Sequence, residues 1–379
     1  MHDRRRLVSS VAGVAFAVVL MLTELGFFYA IEDGSTLLVD ALAADLLLVN
    51  PLKDDMNPSK PLPRARLAQA RAVAGVDSVS PVWISRLAAW STSGQAKRDV
   101  VRLVGFDPDD QVFLLPEIRS QQHLLEHPDT ALVDRKLRDS YGGLVAGATG
   151  ELEGRRVDVV GDFSLGPDLQ LNVNLLVSDQ TFRRTLLQPS YADSNARRAV
   201  DPLDRVELGA VRIAAGADLD DVARRLADRL PDDVAVRTPE QFRDKVHRFW
   251  TRNQPVGAVF GLGFVVGFFI GLAICYQVLY TDVVDQLPQF ATLKAMGYRG
   301  GFLLGLAVRR GCILAVFALL VGVPTSRLVY GVLGWLTALP FSLTLARIST
   351  VAAATIVMCV VASVLATRRA ILSDPADVF

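Results

Sequence analysis

The run His123-Leu-Leu-Glu126-His127 has the side chains for metal chemistry. It matches the H-x-x-E-H pattern, in which imidazoles at i and i+4 of one helix share a zinc ion. Pro128 follows at once. The helix that would have to present both imidazoles ends there, so the run is read as a solvated helix end. No Ser-His-Asp context and no Cys-rich zinc pattern supports another hydrolase. Nucleotide hydrolysis needs a glycine-rich loop closing on Gly-Lys-Ser/Thr to cradle phosphates, and no Gly-Lys dipeptide occurs in the 379 residues. Work driven by ATP would need a motor on a separate chain.

Two further stretches carry chemistry of a different kind. Glu24 lies in the outer third of an apolar run, where a carboxylate is costly unless it faces protein, water or the interface. Its side chain is read as snorkelling or making a structural hydrogen bond, with a polar lining or interhelical contact as the alternative. The stretch from Tyr280 to Tyr298 is helix-like and places Phe290, Leu293 and Met296 near one face before Gly297 ends it. Exposed apolar side chains where a chain leaves the membrane point to a docking surface; the alternative is an amphipathic helix on the membrane surface with no partner.

These residues need elements to position them, and the composition says where those elements lie. A hydrophobic fraction of 51% with mean hydropathy +0.32 places part of the chain in lipid. The 40 basic residues balance 40 acidic ones, so nothing asks for nucleic acid. Cys275, Cys312 and Cys359 sit in apolar stretches and none lies between 31 and 250, which rules out a disulfide framework there; they read as small apolar packing residues.

Residues 7–30 are apolar apart from Ser9, Ser10, Thr23 and Glu24, and as helix they reach about 36 Å, enough to cross a bilayer core. Phe28-Tyr29-Ala30 puts bulky rings where signal cleavage needs small residues, so the span is an uncleaved anchor. A second span covers 255–280. Its Gly263, Gly267 and Gly271 form a stripe that lets membrane helices approach closely, read as packing within the subunit rather than a dimer seam. A third span covers 302–323, a shorter outer segment 324–347 is broken by Arg327, Gly331 and Gly334, and a fourth span covers 348–366. Arg4 to Arg6, then Lys294, Arg299, Arg309 and Arg310, then Arg368 and Arg369 all fall on one side if the spans alternate. The positive-inside rule makes that side cytoplasmic: residues 1–6, the segment 281–301 and the C-terminus 367–379.

Residues 31–250 then form one extracytoplasmic α+β domain. Strands are expected at Ala44–Val49, Asp77–Ile84 and Val100–Phe106, with a helix at Leu62–Val73. A second set has strands at Val206–Ala214 and Val234–Arg237 around a helix at Leu219–Leu230. These two β-α-β units flank an insert at about 111–198 with strand-like runs at Thr130–Val133, Arg156–Val160 and Leu171–Val177 and the turn Tyr141-Gly142-Gly143. Thr238-Pro239-Glu240-Gln241 is a helix-start signature, followed at helical spacing by Phe242, Val246, Phe249 and Trp250. The helix leads into the second span as a stalk, with Pro255 as a kink or stop.

The sequence resembles the MacB and FtsX superfamily of ABC-transporter permeases, and most closely its DevC branch of heterocyst-type exporter permeases. The resemblance runs over nearly the whole chain. The specific stretches are Leu287-Pro-Gln-Phe-Ala-Thr-Leu-Lys-Ala-Met-Gly-Tyr298 and Asp374-Pro-Ala-Asp-Val-Phe379. Weaker ones are Ala44-Asp-Leu-Leu-Leu-Val-Asn-Pro51, Val76-Asp-Ser-Val-Ser-Pro81, Val104-Gly-Phe-Asp-Pro108 and Leu230-Pro-Asp-Asp233.

The resemblance implies an inner-membrane homodimer of four-span subunits, each with a porter-like periplasmic α+β domain carrying an inserted subdomain. Two separate ABC ATPase subunits would bind the ATP and Mg, leaving no cofactor in this chain. Leu287, Pro288, Phe290, Leu293, Lys294, Met296 and Gly297 would form the coupling helix that enters a groove on the ATPase. A periplasmic adaptor of the membrane-fusion type and a TolC-like outer-membrane channel would complete an exporter of a lipid-like or amphiphilic substrate, worked by mechanotransmission. The alternative is an FtsX-like scaffold that activates a periplasmic hydrolase without transport. One departure is that only six residues precede Leu7, where relatives usually carry a cytoplasmic amphipathic segment.

Overall fold

A computed structural model of the protein describes residues 2–92, 99–136, 144–166, 173–187, 201–252, 255–285, 300–337 and 339–372. The chain divides into two compact units. One is made of Met1–Ala30, Gln254–Trp335 and Phe341–Phe379; the other of Ile31–Asn253 with Leu336–Pro340.

The first unit is helical. Helix α1 (His2–Asp40) is continuous for 39 residues, about 58 Å at the helical rise, and carries on into the second unit. Four helices among the described residues contain stretches long and apolar enough to cross a membrane: Val8–Asp40, Gly257–Val284, Leu304–Thr337 and Leu345–Arg368.

The second unit is an α+β domain built on strands β1 (Leu46–Val49), β2 (Leu62–Pro63), β3 (Val76–Thr92), β4 (Asp99–Phe106), β5 (Thr130–Asp134), β6 (Thr149–Leu152), β7 (Arg155–Phe163), β8 (Asn174–Ser178), β9 (Arg205–Val206), β10 (Leu208–Ile213) and β11 (Ala235–Arg237). Its helices are α2 (Ala65–Arg71), α3 (Pro116–Gln121), α4 (Asp179–Leu186), α5 (Leu219–Arg229) and α6 (Pro239–Arg252). The membrane helices after it are α7 (Pro255–Asp285), α8 (Gly300–Thr337) and α9 (Leu345–Leu372).

The nine-stranded sheet runs β11-β1-β10-β3-β4-β8-β5-β7-β6. Its first four strands hold two interleaved β-α-β units. β1 and β3, joined through α2, both lie antiparallel to β10, while β10 and β11, joined through α5, both lie antiparallel to β1. This is the split β-α-β arrangement, with a long insertion between its second and third strands. The insertion closes on itself. β3 pairs with β4 along one stretch and with β6 at Trp90–Thr92, so β3, β4, β8, β5, β7 and β6 form a ring.

The residues explain the layers. All four residues of β1 and all five of β5 are buried, as expected of strands covered on both faces. In β7, Val157, Val159 and Phe163 face in while Arg156 and Asp158 face out, the period-two pattern of a half-covered strand. Trp83, 1% exposed, anchors the core of the domain, and its indole donates to the Leu203 carbonyl at 3.3 Å. Gly150 on β6 makes room for another tryptophan: a methyl group there would collide with the Trp90 ring.

Three local expectations change. A helix expected over Leu62–Val73 starts only at Ala65, after the short strand Leu62–Pro63. Pro63 is the cause, because the residue before a proline, here Leu62, is pushed out of the helical region. The expected outer segment 324–347 is helical as far as Thr337, with Pro324 inside α8. The hydroxyls of Thr325 and Ser326 bond the carbonyls of Val321 and Gly322, each at 2.8 Å, so polar groups near the proline stay paired. The insertion also begins earlier than 111, since its ring includes the second half of β3 and all of β4. Tyr141-Gly142-Gly143 and the first two residues of Leu171–Val177 lie outside the described residues.

Candidate functional site

The coupling segment is the first site the sequence points to. Leu287, Pro288, Phe290, Leu293, Lys294, Met296 and Gly297 all lie outside the described residues. What is described is the helix bundle on either side of it.

The glycine stripe of α7 faces α1. A methyl group built on Gly263 would lie 2.6 Å from Cδ of Glu24; on Gly267, 3.4 Å from Leu20 and Met21; on Gly271, 2.6 Å from Ala17 Cβ. The ladder continues at both ends, with Gly13 against Ile274 and Phe27 stacked on Phe260 at a centroid distance of 5.6 Å. Each step toward the C-terminus of α1 is a step toward the N-terminus of α7, so the two helices are antiparallel. Successive contacts are one helical turn apart. The absence of side chains lets the backbones approach and gives dispersion contacts along the whole seam.

α1 is the centre of the bundle. Val14, Ala17, Val18, Met21 and Leu22 are completely buried. On a second side α1 meets α8 in parallel. Gly322 lies against Val18, Gly26 against the ring of Tyr330, and the Tyr330 hydroxyl donates to the Leu22 carbonyl. α9 packs beside α7, where the thiols of Cys275 and Cys359 are 3.6 Å apart and buried. At the outer end, the Arg347 guanidinium lies 4.2 Å from the Tyr29 ring centroid and donates to the Ser342 carbonyl at 2.6 Å. Spacing pointed to the glycine stripe. It gave no sign of Tyr330 or Arg347, whose partners are over 300 residues away in the chain for Leu22 and Tyr29.

In the second unit, α6 begins with the expected capping box. The Gln241 amide donates to Thr238 Oγ1 at 3.1 Å, and the Thr238 amide donates to Gln241 Oε1 at 3.2 Å. Phe242 and Val246 are fully buried, and Trp250 is 7% exposed. The polar side of α6 is tied to the last turns of α1 and to the loop after β1. Arg243 donates from Nε to Asp40 at 3.0 Å, His247 Nδ1 lies 3.4 Å from Glu32 Oε1, and Lys245 bonds the Pro51 carbonyl at 2.7 Å and Asp54 at 3.0 Å. Burial holds the His247 imidazole below its ordinary pKa; Asp33 pulls against this, Arg243 adds to it, and Asp244 and Asp40 oppose it.

The polar residues of the H-x-x-E-H run lie exposed at the end of a short helical segment. Gln122–Glu126 is a 3-10 helix and His127 is extended, with His123, Glu126 and His127 all exposed. At three residues per turn, side chains at i and i+4 do not share a face. Among the described residues no cluster of histidine, cysteine and carboxylates is arranged to hold a metal.

The family model for the MacB-like periplasmic core domain matches residues 8–229, more than half of the chain. The chain belongs to the MacB-like family. It is a multi-pass inner-membrane protein whose large α+β domain is periplasmic, and its general role is that of a MacB/FtsX-type permease in ABC-type transport. Among solved structures it is similar to the periplasmic region of MacB from Actinobacillus actinomycetemcomitans, at 14% identity and TM-score 0.35 over 53% of this chain and 91% of that one. It is similar to the extracellular domain of the noncanonic ABC-type transporter YknZ from Gram-positive bacteria, at 14% identity and TM-score 0.33 over 51% and 99%. A domain of a putative permease protein from Porphyromonas gingivalis matches at 15% identity and TM-score 0.30 over 52% and 86%. No curated protein matches the chain.

Proposed function

We propose that this MacB-like chain is the permease subunit of an ABC exporter of the DevC branch, in which a separate ATPase drives conformational change in the periplasmic domain. The observation that carries the reading is α1. One unbroken helix starts in the membrane unit, where it is the centre of the bundle, and ends in the periplasmic unit, where Asp40 holds Arg243 of α6. α6 in turn is followed within a few residues by α7, so both helices of the membrane seam, α1 and α7, are continuous in sequence with the segments joined by Asp40 and Arg243.

The input is the segment 281–301, with Leu287, Pro288, Phe290, Leu293, Lys294, Met296 and Gly297 as the coupling helix seated on the ATPase. ATP and Mg belong to that partner, since this sequence lacks a phosphate-binding Gly-Lys loop. The stripe Gly263, Gly267, Gly271 is the intrasubunit seam through which movement of α7 reaches α1. The working assembly is a homodimer with a periplasmic adaptor and a TolC-like channel, and the cargo is lipid-like or amphiphilic.

Affinity purification of the chain from its native membrane in mild detergent, with mass spectrometry of what accompanies it, tests this. An ATPase and an adaptor of the membrane-fusion type are expected. An ATPase together with a periplasmic hydrolase, or no ATPase, would replace the exporter with a regulatory scaffold.

A further inference from the structure

Glu24 is a carboxylate inside a membrane helix, four turns below Asp40 and about 9 Å of helix below Ala30. Burying such a group in the apolar layer is costly unless a counter-charge or a polar lining meets it. It makes no hydrogen bond or ion pair with any described residue. Of the basic groups toward the same end of the bundle, Arg347 is engaged with the Tyr29 ring and Ser342, and Arg327 is exposed on α8 one turn before Tyr330.

The surroundings are built around that carboxylate. It lies against Gly263, where a methyl group would collide with it, so the glycine leaves room on the seam for the carboxylate. It is only half-buried, so it opens to the surface of the chain. One turn farther out on the same seam, the rings of Phe27 and Phe260 stack, and Phe341 meets Phe27 edge to face at 5.0 Å. The Tyr330 ring centroid lies 5.5 Å from that of Phe341, and its hydroxyl already donates a hydrogen bond to the Leu22 carbonyl, which leaves its ring as the contact surface. An anion beside several aromatic rings in an apolar layer is the chemistry that recognises a lipophilic cation: the carboxylate supplies the counter-charge and the ring faces attract the cation and its alkyl or aryl groups.

We infer that Glu24, with Phe27, Phe260 and Phe341, forms a binding site for amphiphilic cations in the outer half of the membrane unit. The inference narrows the amphiphilic cargo class of the exporter reading, on which it rests, but binding is measured without the ATPase and so succeeds or fails separately from transport.

The test is saturable binding of radiolabelled tetraphenylphosphonium to the purified full chain in neutral maltoside detergent, read by scintillation proximity. Wild type is expected to bind, with displacement by other lipophilic cations and none by an uncharged analogue of the same size. Glu24→Gln should weaken binding at least tenfold, Glu24→Asp should retain part of it, and Phe27→Leu should weaken it severalfold. Equal affinity in Glu24→Gln, displacement of the label from wild type by the uncharged analogue, or no saturable binding to wild type would each overturn the site. The competition arm uses wild type alone and stands even if a variant fails to fold.

Discussion

Lys53 and Glu207 are 154 positions apart in the chain, yet the Lys53 ammonium donates to Glu207 Oε2 at 2.5 Å with the two side chains 0% and 7% exposed. Lys53 also bonds the Asn57 carbonyl at 2.8 Å, so the ion pair fixes the loop after β1 against the start of β10. Burial pushes the Glu207 carboxyl up from its ordinary pKa, and Lys53 pulls it back down. The pair is therefore held in place by each partner's need for the other.

Removing one partner should be far worse than removing both. Lys53→Met leaves a buried carboxylate without its counter-charge, a loss of about 3–5 kcal/mol in systems of this kind. The double variant Lys53→Met with Glu207→Leu should recover most of it. Thermal unfolding of the full chain in detergent, followed by the fluorescence of the buried tryptophans, measures both; equal destabilisation by single and double variants would contradict the pairing.

His247 should make the α1–α6 clamp weaken in acid. Its folded pKa lies below the ordinary 6.5, so the unfolded or detached state binds the extra proton more readily. The stability it confers is fully present above about 6.5, is lost as pH falls below that value, and levels off under the folded pKa. Hydrogen exchange across 239–252 should therefore quicken between pH 7.5 and 5.5 after correction for intrinsic rates. His247→Asn should remove this pH dependence; its persistence in the variant would assign the effect to another group.

The glycines of α7 should not be interchangeable. Gly271→Leu forces a side chain into Ala17 and Met358, an overpacking worth about 1–3 kcal/mol, whereas Gly261 faces open space within the subunit. Gly261→Leu should leave the melting temperature in detergent unchanged or slightly raised. A larger loss at Gly261 than at Gly271 would place the seam between two copies of the chain.

For the coupling helix, Leu293→Asp or Met296→Asp should abolish co-purification of the ATPase and leave membrane insertion intact. A charged side chain in an apolar docking face loses its hydration without gaining a partner. Undiminished recovery of the motor with both variants would count against the docking role.

Much of this protein was legible from local pattern. The apolar runs are long enough to span, and lipid composition makes helices of them whatever lies nearby, because an unpaired backbone group in the bilayer is too costly. Thr238-Pro239-Glu240-Gln241 announced a capping box that forms as expected, since every atom in it belongs to four consecutive residues. Pro63 also acted locally, on Leu62 at the start of the expected helix Leu62–Val73, which begins at Ala65.

The tertiary structure decided what depends on distant partners. Two β-α-β units were readable one after the other. Their interleaving, with β1 between β10 and β11, follows from edge pairings chosen among many compatible strands, and no local signal ranks those choices. The same holds for Tyr330 over Gly26, Arg347 over Tyr29 and Lys53 with Glu207: each residue alone reads as an ordinary interfacial or surface side chain. The sequence determined which segments enter the membrane and where helices start, because hydration and capping act within a few residues. Which face of α7 meets α1, and that Glu24 lies over Gly263, were settled only by packing, where shape and the burial of charge are shared between parts of the chain over two hundred residues apart.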